Sequence, residues 1–238
     1  MSSPVRIALV AEGITDYVFL KASVESMLNG RPFVLKLLQP EESLAFAGAG
    51  DAGPHGGGWR GVYKWCCQVI ERSGTLRSDP LFYGYDLLLL HLDADVADED
   101  PAKYQANPMA QLSGILPCAK TCPPASDTTD SLRRVMLSWV GEIQTPPKAV
   151  LCTPSKNLEA WVMAIFFPND TLMQRQCWEC FPNPESRLGQ QPKKSRFPKK
   201  LQSYEQRSSQ IQAKWTLAVT KCSEAERFQN EFLAALPP

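Results

Sequence analysis

The chain lacks a long hydrophobic run. No apolar stretch in its 238 residues approaches the ~20 that a membrane span requires, so no spanning helix is expected. It lacks net charge. With 25 basic residues against 25 acidic ones, the whole-chain balance does not announce a polyanion-binding surface, and any steering field must come from local asymmetry. It lacks a Gly-Lys-Ser/Thr phosphate loop, so any ATP dependence must come from another chain. It shows no internal repeat. Met1-Ser2-Ser3-Pro4 leads directly into an apolar stretch, so no signal peptide is expected. The eight cysteines then read as reduced thiols of a cytoplasmic protein, with Cys66, Cys67 and Cys152 in core positions.

What is present is enough for a packed domain: 44% of the residues are hydrophobic. Val5 to Ala11, Phe33 to Leu38 and Ala149 to Cys152 are short apolar runs that read as strands. Tyr85 to Leu92 is the strongest strand; a continuous apolar run implies burial on both faces and hence a central parallel strand. Helices are expected over Thr15–Leu28, Val62–Arg72, Asp127–Glu142 (capped by Ser126 or Asp127) and Ser155–Phe166, the last with Ser155 as N-cap. Two more, carrying Ile211 with Trp215 and Phe228 with Phe232, finish the chain. Alternating strands and helices predict an α/β fold, a mostly parallel sheet flanked by helices. The one plausible boundary is the Pro/Lys-rich stretch from Pro182 to Pro198. It divides an α/β domain, 1–181, from a basic linker and C-terminal helices, 182–238, that pack back onto the same domain.

Two acidic clusters stand where strands run out. Glu12-Gly13-Ile14-Thr15-Asp16 follows the first strand, and Asp93-Ala94-Asp95 follows the central one. Open α/β sheets place their ligands at the carboxyl ends of strands. Asp93 and Asp95, two apart, point to one side of an extended segment. If the two strands are neighbours, four carboxylates converge, which is unfavourable unless a cation neutralises them. Hard oxygen ligands suit magnesium or manganese. The competing reading is a helix start for Glu12 and Asp16, where acids meet the positive end of the helix dipole, and a polar strand end for the other pair.

Glu12-Gly13-x-Thr15-Asp16 followed by Asp93-x-Asp95 resembles the topoisomerase–primase (Toprim) domain, which carries a glutamate after its first strand and Asp-x-Asp after a later one. Ser155-Lys156-Asn157-Leu158-Glu159-Ala160-Trp161 is similar to a third acidic position in Toprim nucleases of the overcoming-lysogenization-defect (OLD) type and in small standalone relatives. The tail, with Lys199-Lys200, a helix and Cys222-x5-Phe228-x3-Phe232, also looks like those standalone proteins. The resemblance implies a Toprim-like Rossmannoid fold and a magnesium- or manganese-dependent nuclease. Glu12, Asp93, Asp95 and Glu159 would be its catalytic acids, and Glu12, Asp16, Asp93, Asp95 and Glu159 its metal ligands. It implies a role in bacterial antiviral defence beside a separate ABC- or OLD-type ATPase. A lysine–glycine pair of the OLD type is not matched, because Leu201 follows Lys200. The rival readings are a non-catalytic Toprim module that binds nucleic acid or a protein, and, last, a phosphotransferase or primase-like enzyme. Homo-oligomerisation stays open.

Several weaker signals remain. Lys193, Lys194, Arg196, Lys199 and Lys200 form the one strong basic block, suited to the phosphates of DNA or RNA or else a solvated linker. Cys118, Cys122, Cys177 and Cys180 have the chemistry of a structural zinc site, but the 54 residues between the pairs are unlike a compact finger. Gly48 to Gly53 matches a dinucleotide fingerprint in letters only. His55 in that loop reads as incidental, and His91, inside the strand run, as a buried, hydrogen-bonded core histidine.

Overall fold

The computed structural model describes residues 3–41, 55–100 and 115–238; Gly48 to Gly53 lies outside them. Four strands form one parallel sheet: β1 (Val5–Val10), β2 (Phe33–Gln39), β3 (Leu87–His91) and β4 (Ala149–Cys152), in the order β2-β1-β3-β4. The six helices of eight or more residues among the described residues are α1 (Ile14–Leu28), α2 (Gly58–Ser73), α3 (Ser126–Trp139), α4 (Glu159–Phe166), α5 (Ser208–Lys221) and α6 (Ser223–Ala235). The result is a Rossmann-like α/β fold.

The two-residue period of β1 divides the core. Val5, Ile7 and Leu9 face α1, α4, α5 and α6, whereas Ala8 and Val10 face α2 and α3. All five residues of β3 are buried, as a strand covered on both faces must be. The tail joins the first of these cores. Trp161 of α4 lies 5.5 Å from the Trp215 ring of α5 and 6.0 Å from the Phe228 ring of α6. Arg133 on α3, also buried, donates to Leu151 O at 3.0 Å and pairs with Glu231 of α6, which fixes the tail to the sheet edge.

This order puts β1 beside β3, in register from Ile7 with Leu87 to Val10 with Leu90. From β1 the chain crosses to β2 on one side, while β4 lies on the other. The crevice above the carboxyl ends of β1 and β3 is therefore the topological switch point, where sheets of this kind bind ligands.

Candidate active site

Each acid reaches the switch point by a backbone contact that the fold supplies. Glu12 follows the end of β1, and its Oε1 accepts from the Asp93 amide at 2.8 Å, which bridges the two clusters directly. Asp16, in the first turn of α1, accepts from the Gly13 amide at 2.9 Å. It thus serves the helix start as well as the crevice. Beyond β3 the chain stays zipped to the β4 side, with the Ala94 amide on Pro154 O at 3.2 Å and the Asp95 amide on Lys156 O at 2.8 Å. Asp93 Oδ1 accepts from the Leu158 amide at 3.0 Å and so sets where α4 begins. Glu159, the first residue of α4, thereby arrives beside Asp93 with 1% exposure.

The basic block divides. Phe197 is buried against Phe166 and Tyr204, with ring centres 5.0 and 4.9 Å away. This anchor lets Lys199, two residues on, turn inward, with Nζ 3.1 Å from Glu159 Oε1. Lys199 keeps 38% of its side chain exposed, and Lys193, Lys194, Arg196 and Lys200 are exposed as well. Tyr204 donates its hydroxyl to the same Glu159 Oε1 at 3.0 Å. Glu159 Oε2 is buried with no hydrogen-bond partner.

His91 is the site residue that strand periodicity hides. It is fully buried, but among carboxylates rather than in an apolar core. Nε2 is 3.4 Å from Asp93 Oδ1 and Nδ1 is 4.0 Å from Asp16 Oδ2. Neither nitrogen has the geometry of a hydrogen bond, which corrects the expectation of a satisfied core histidine. Tyr204 was equally invisible, since nothing in its local sequence marks a partner 45 positions away. His55 is buried on the flank of α2, where burial and Lys64 lower its imidazole.

The titration behaviour follows from crowding. Burial, then the charges of Asp93 and Asp16, raise the Glu12 carboxyl well above the usual range. Burial also raises Asp16, with His91 opposing it. Glu159 is pushed up to about 7 by burial and by Asp93, against the pull of Lys199. Asp95 is pushed up to about 7 by desolvation and by Asp93, but it stands at the exposed rim, so solvent screens its share. Burial alone would lower His91; its contact with Asp93 and the charges of Asp16 and Asp93 outweigh that and raise it. Burial likewise opposes the Lys199 ammonium, yet Glu159 and Asp93 hold its affinity for the proton above the ordinary lysine value.

The donor chemistry suits a hard cation, because clustered carboxylates in a desolvated crevice need positive charge. The cage itself is not assembled: among the described residues, no three His, Cys, Asp or Glu side chains close on one point. Glu12, Asp16 and Asp93 each commit one oxygen to a backbone amide, which leaves each a second oxygen for a ligand. The reading of all eight cysteines as reduced thiols is corrected, and the zinc site already disfavoured on spacing is not formed. Cys122 and Cys180 are bonded to each other as a disulfide, so they are neither zinc thiolates nor the reduced thiols expected, while Cys118 and Cys177 are free. Ser155 does not cap α4 either; its hydroxyl donates to Glu179 at 2.8 Å, and the helix begins four residues later.

Comparison with protein-family models, curated proteins and solved structures finds no match to this chain. Among the described residues, no helix is long and apolar enough to cross a membrane.

Proposed function

We propose that this chain is a magnesium- or manganese-dependent nuclease of Toprim-like fold, working in the cytoplasm as the effector of an antiviral defence system beside a separate ATPase. The observation that carries the reading is Glu159 Oε2, a buried carboxylate oxygen without a partner in a cluster that already holds Glu12, Asp16 and Asp93. A cation or a proton must meet it there.

Glu12, Asp93 and Glu159, with Asp16 and Asp95, would hold the metal once their side chains turn toward it. When bound, the metal supplies charge neutralisation and activation of water for attack on a phosphodiester. The chain's own groups do the rest. Lys199 brings fixed positive charge to the crevice, where a phosphate would replace part of its contact with Glu159. Tyr204 and Lys199 both engage Glu159 Oε1, which leaves Oε2 without a partner. Lys193, Lys194, Arg196 and Lys200, exposed along the segment that leads to Lys199, are placed to track a nucleic-acid backbone.

The test is incubation with DNA and with RNA, in magnesium and in manganese, beside Glu12→Gln and Asp93→Asn. Wild type should cleave at least one polymer, and both variants should lose about a hundredfold or more in rate. Cleavage that survives both substitutions would remove these acids from the chemistry. Binding of nucleic acid without cleavage, with or without the ATPase, would support a non-catalytic module instead.

A further inference from the structure

The disulfide joins two segments that contact the turn carrying Asp95 and the stretch leading to Glu159, which also meet through the Ala94 and Asp95 amides. Its Cα atoms are 5.6 Å apart. On the Cys122 side, the Cys118 and Ala119 amides donate to Ala97 O at 2.8 and 3.0 Å, and Ala97 lies in the turn Ala94–Asp98 that contains Asp95. On the Cys180 side, the neighbouring Glu179 accepts from Ser155, which opens the turn leading to Glu159. Neither segment is held by the sheet. Residues 117–125 contain no helix or strand, and Cys180 ends the single turn Trp178–Cys180.

A third cysteine completes the arrangement. Cys177 is free and exposed, and its carbonyl accepts from the Cys180 amide at 2.9 Å. A turn closed in this way keeps its end Cα atoms within about 7 Å, and a disulfide spans about 4.4–6.8 Å. Cys180 is bonded to Cys122 through space and has Cys177 three residues back across a closed turn, a separation that overlaps the range of a disulfide.

We propose that Cys122, Cys177 and Cys180 form a thiol–disulfide exchange site whose state sets how firmly the turn carrying Asp95 and the segment leading to Glu159 are held together. In the exchange step the Cys177 thiolate attacks Cys180 Sγ. The Cys177–Cys180 bond forms, the Cys122–Cys180 bond breaks, and Cys122 leaves as the thiolate that takes up the proton Cys177 gave up. No electrons are gained or lost. A dithiol reductant of the thioredoxin or dithiothreitol class then passes two electrons and two protons to the Cys177–Cys180 pair and becomes a disulfide itself. Cys-x-x-Cys pairs are a common site of such exchange, and a disulfide in a reducing compartment is usually transient and redox-active rather than structural. This holding role is independent of phosphodiester chemistry.

The test is peptide mapping by mass spectrometry of protein prepared without reductant and quenched with N-ethylmaleimide, before and after brief exposure to substoichiometric dithiothreitol. The Cys122–Cys180 peptide should be present at the start. A Cys177–Cys180 peptide with blocked Cys122 should appear afterwards, and it should be missing in Cys177→Ser. Hydrogen exchange at residues 94–98 and 156–159 should quicken about tenfold in Cys122→Ser, and equally in fully reduced wild type, but not in Cys177→Ser. Complete blocking of Cys122 in the starting protein would overturn the bond. Absence of any Cys177–Cys180 peptide would overturn the exchange step. Unchanged hydrogen exchange in both Cys122→Ser and reduced wild type would overturn the link to the acids.

Discussion

The Tyr204 hydroxyl donates to Glu159 Oε1 at 3.0 Å across 45 residues of sequence, so the C-terminal segment closes directly onto the acidic cluster. Lys199 meets the same oxygen. Glu159 is held from one side by the tail and set in place from the other by Asp93, whose carboxylate fixes the start of α4.

Tyr204→Phe removes one donor and leaves the ring. Burial and then Glu159 raise the phenol, so it remains a protonated donor in the working pH range. Loss of a buried hydrogen bond to a carboxylate should cost about 1–3 kcal/mol. Urea unfolding should show a lower midpoint with an unchanged slope. Lys199→Met should lower stability as well, by stripping Glu159 of its counter-charge, and Lys199→Arg should recover part of it.

The cluster also fixes the sign of a pH effect. Glu12, Asp16, Asp95 and Glu159 have folded-state values raised above those of an unfolded chain, near about 4, so the folded state binds protons more tightly. Their contribution is fully present below that unfolded value and is lost as pH rises through the raised ones, about 7 for Glu159 and Asp95. The raised His91 acts with the same sign, losing its contribution as pH rises through its folded value. In chelator the melting temperature should therefore fall between about pH 6 and about pH 8. Added magnesium or manganese should raise it more at the upper end than at the lower. A melting temperature that climbs over this range in chelator would contradict the crowding.

The exposed basic residues should act on affinity alone. Replacing Lys193, Lys194 and Arg196 together by Ala should weaken DNA or RNA binding. The slope of log K against log salt should fall by about 1 for each phosphate that is no longer neutralised. Melting temperature and divalent binding should not change. An unaltered salt slope would make the segment a solvated linker.

The architecture was legible where side-chain periodicity alone decides it. Ala149–Cys152 is found as read, and Val5–Val10, Phe33–Gln39 and Leu87–His91 differ from expectation only at their ends, because apolar runs bounded by turn residues leave little choice. α2 begins at Gly58 rather than Val62, since its first turn is held by the Gly58 amide on Glu12 O, a contact no local pattern announces. The start of α4 was misplaced for the same reason: Asp93, 65 residues away from Leu158, decides it. In the site, the strand-end acids were visible because their positions follow from the fold. His91, Tyr204 and the inward turn of Lys199 were not, because each depends on which distant segment packs over the crevice. The disulfide was not legible because spacing alone does not show which two cysteines meet across 58 residues, so all eight read as reduced thiols.

The most direct test of the central claim, that the acids after β1 and β3 are two halves of one cation site, is a manganese titration by calorimetry. It needs neither substrate nor partner. Wild type should bind manganese, and Glu12→Gln and Asp93→Asn should each weaken binding by about tenfold or more. Glu142→Gln, at a distant ion pair with Arg77, should bind as wild type does. Absence of binding by wild type, or equal binding by wild type and both cluster variants, would contradict the account.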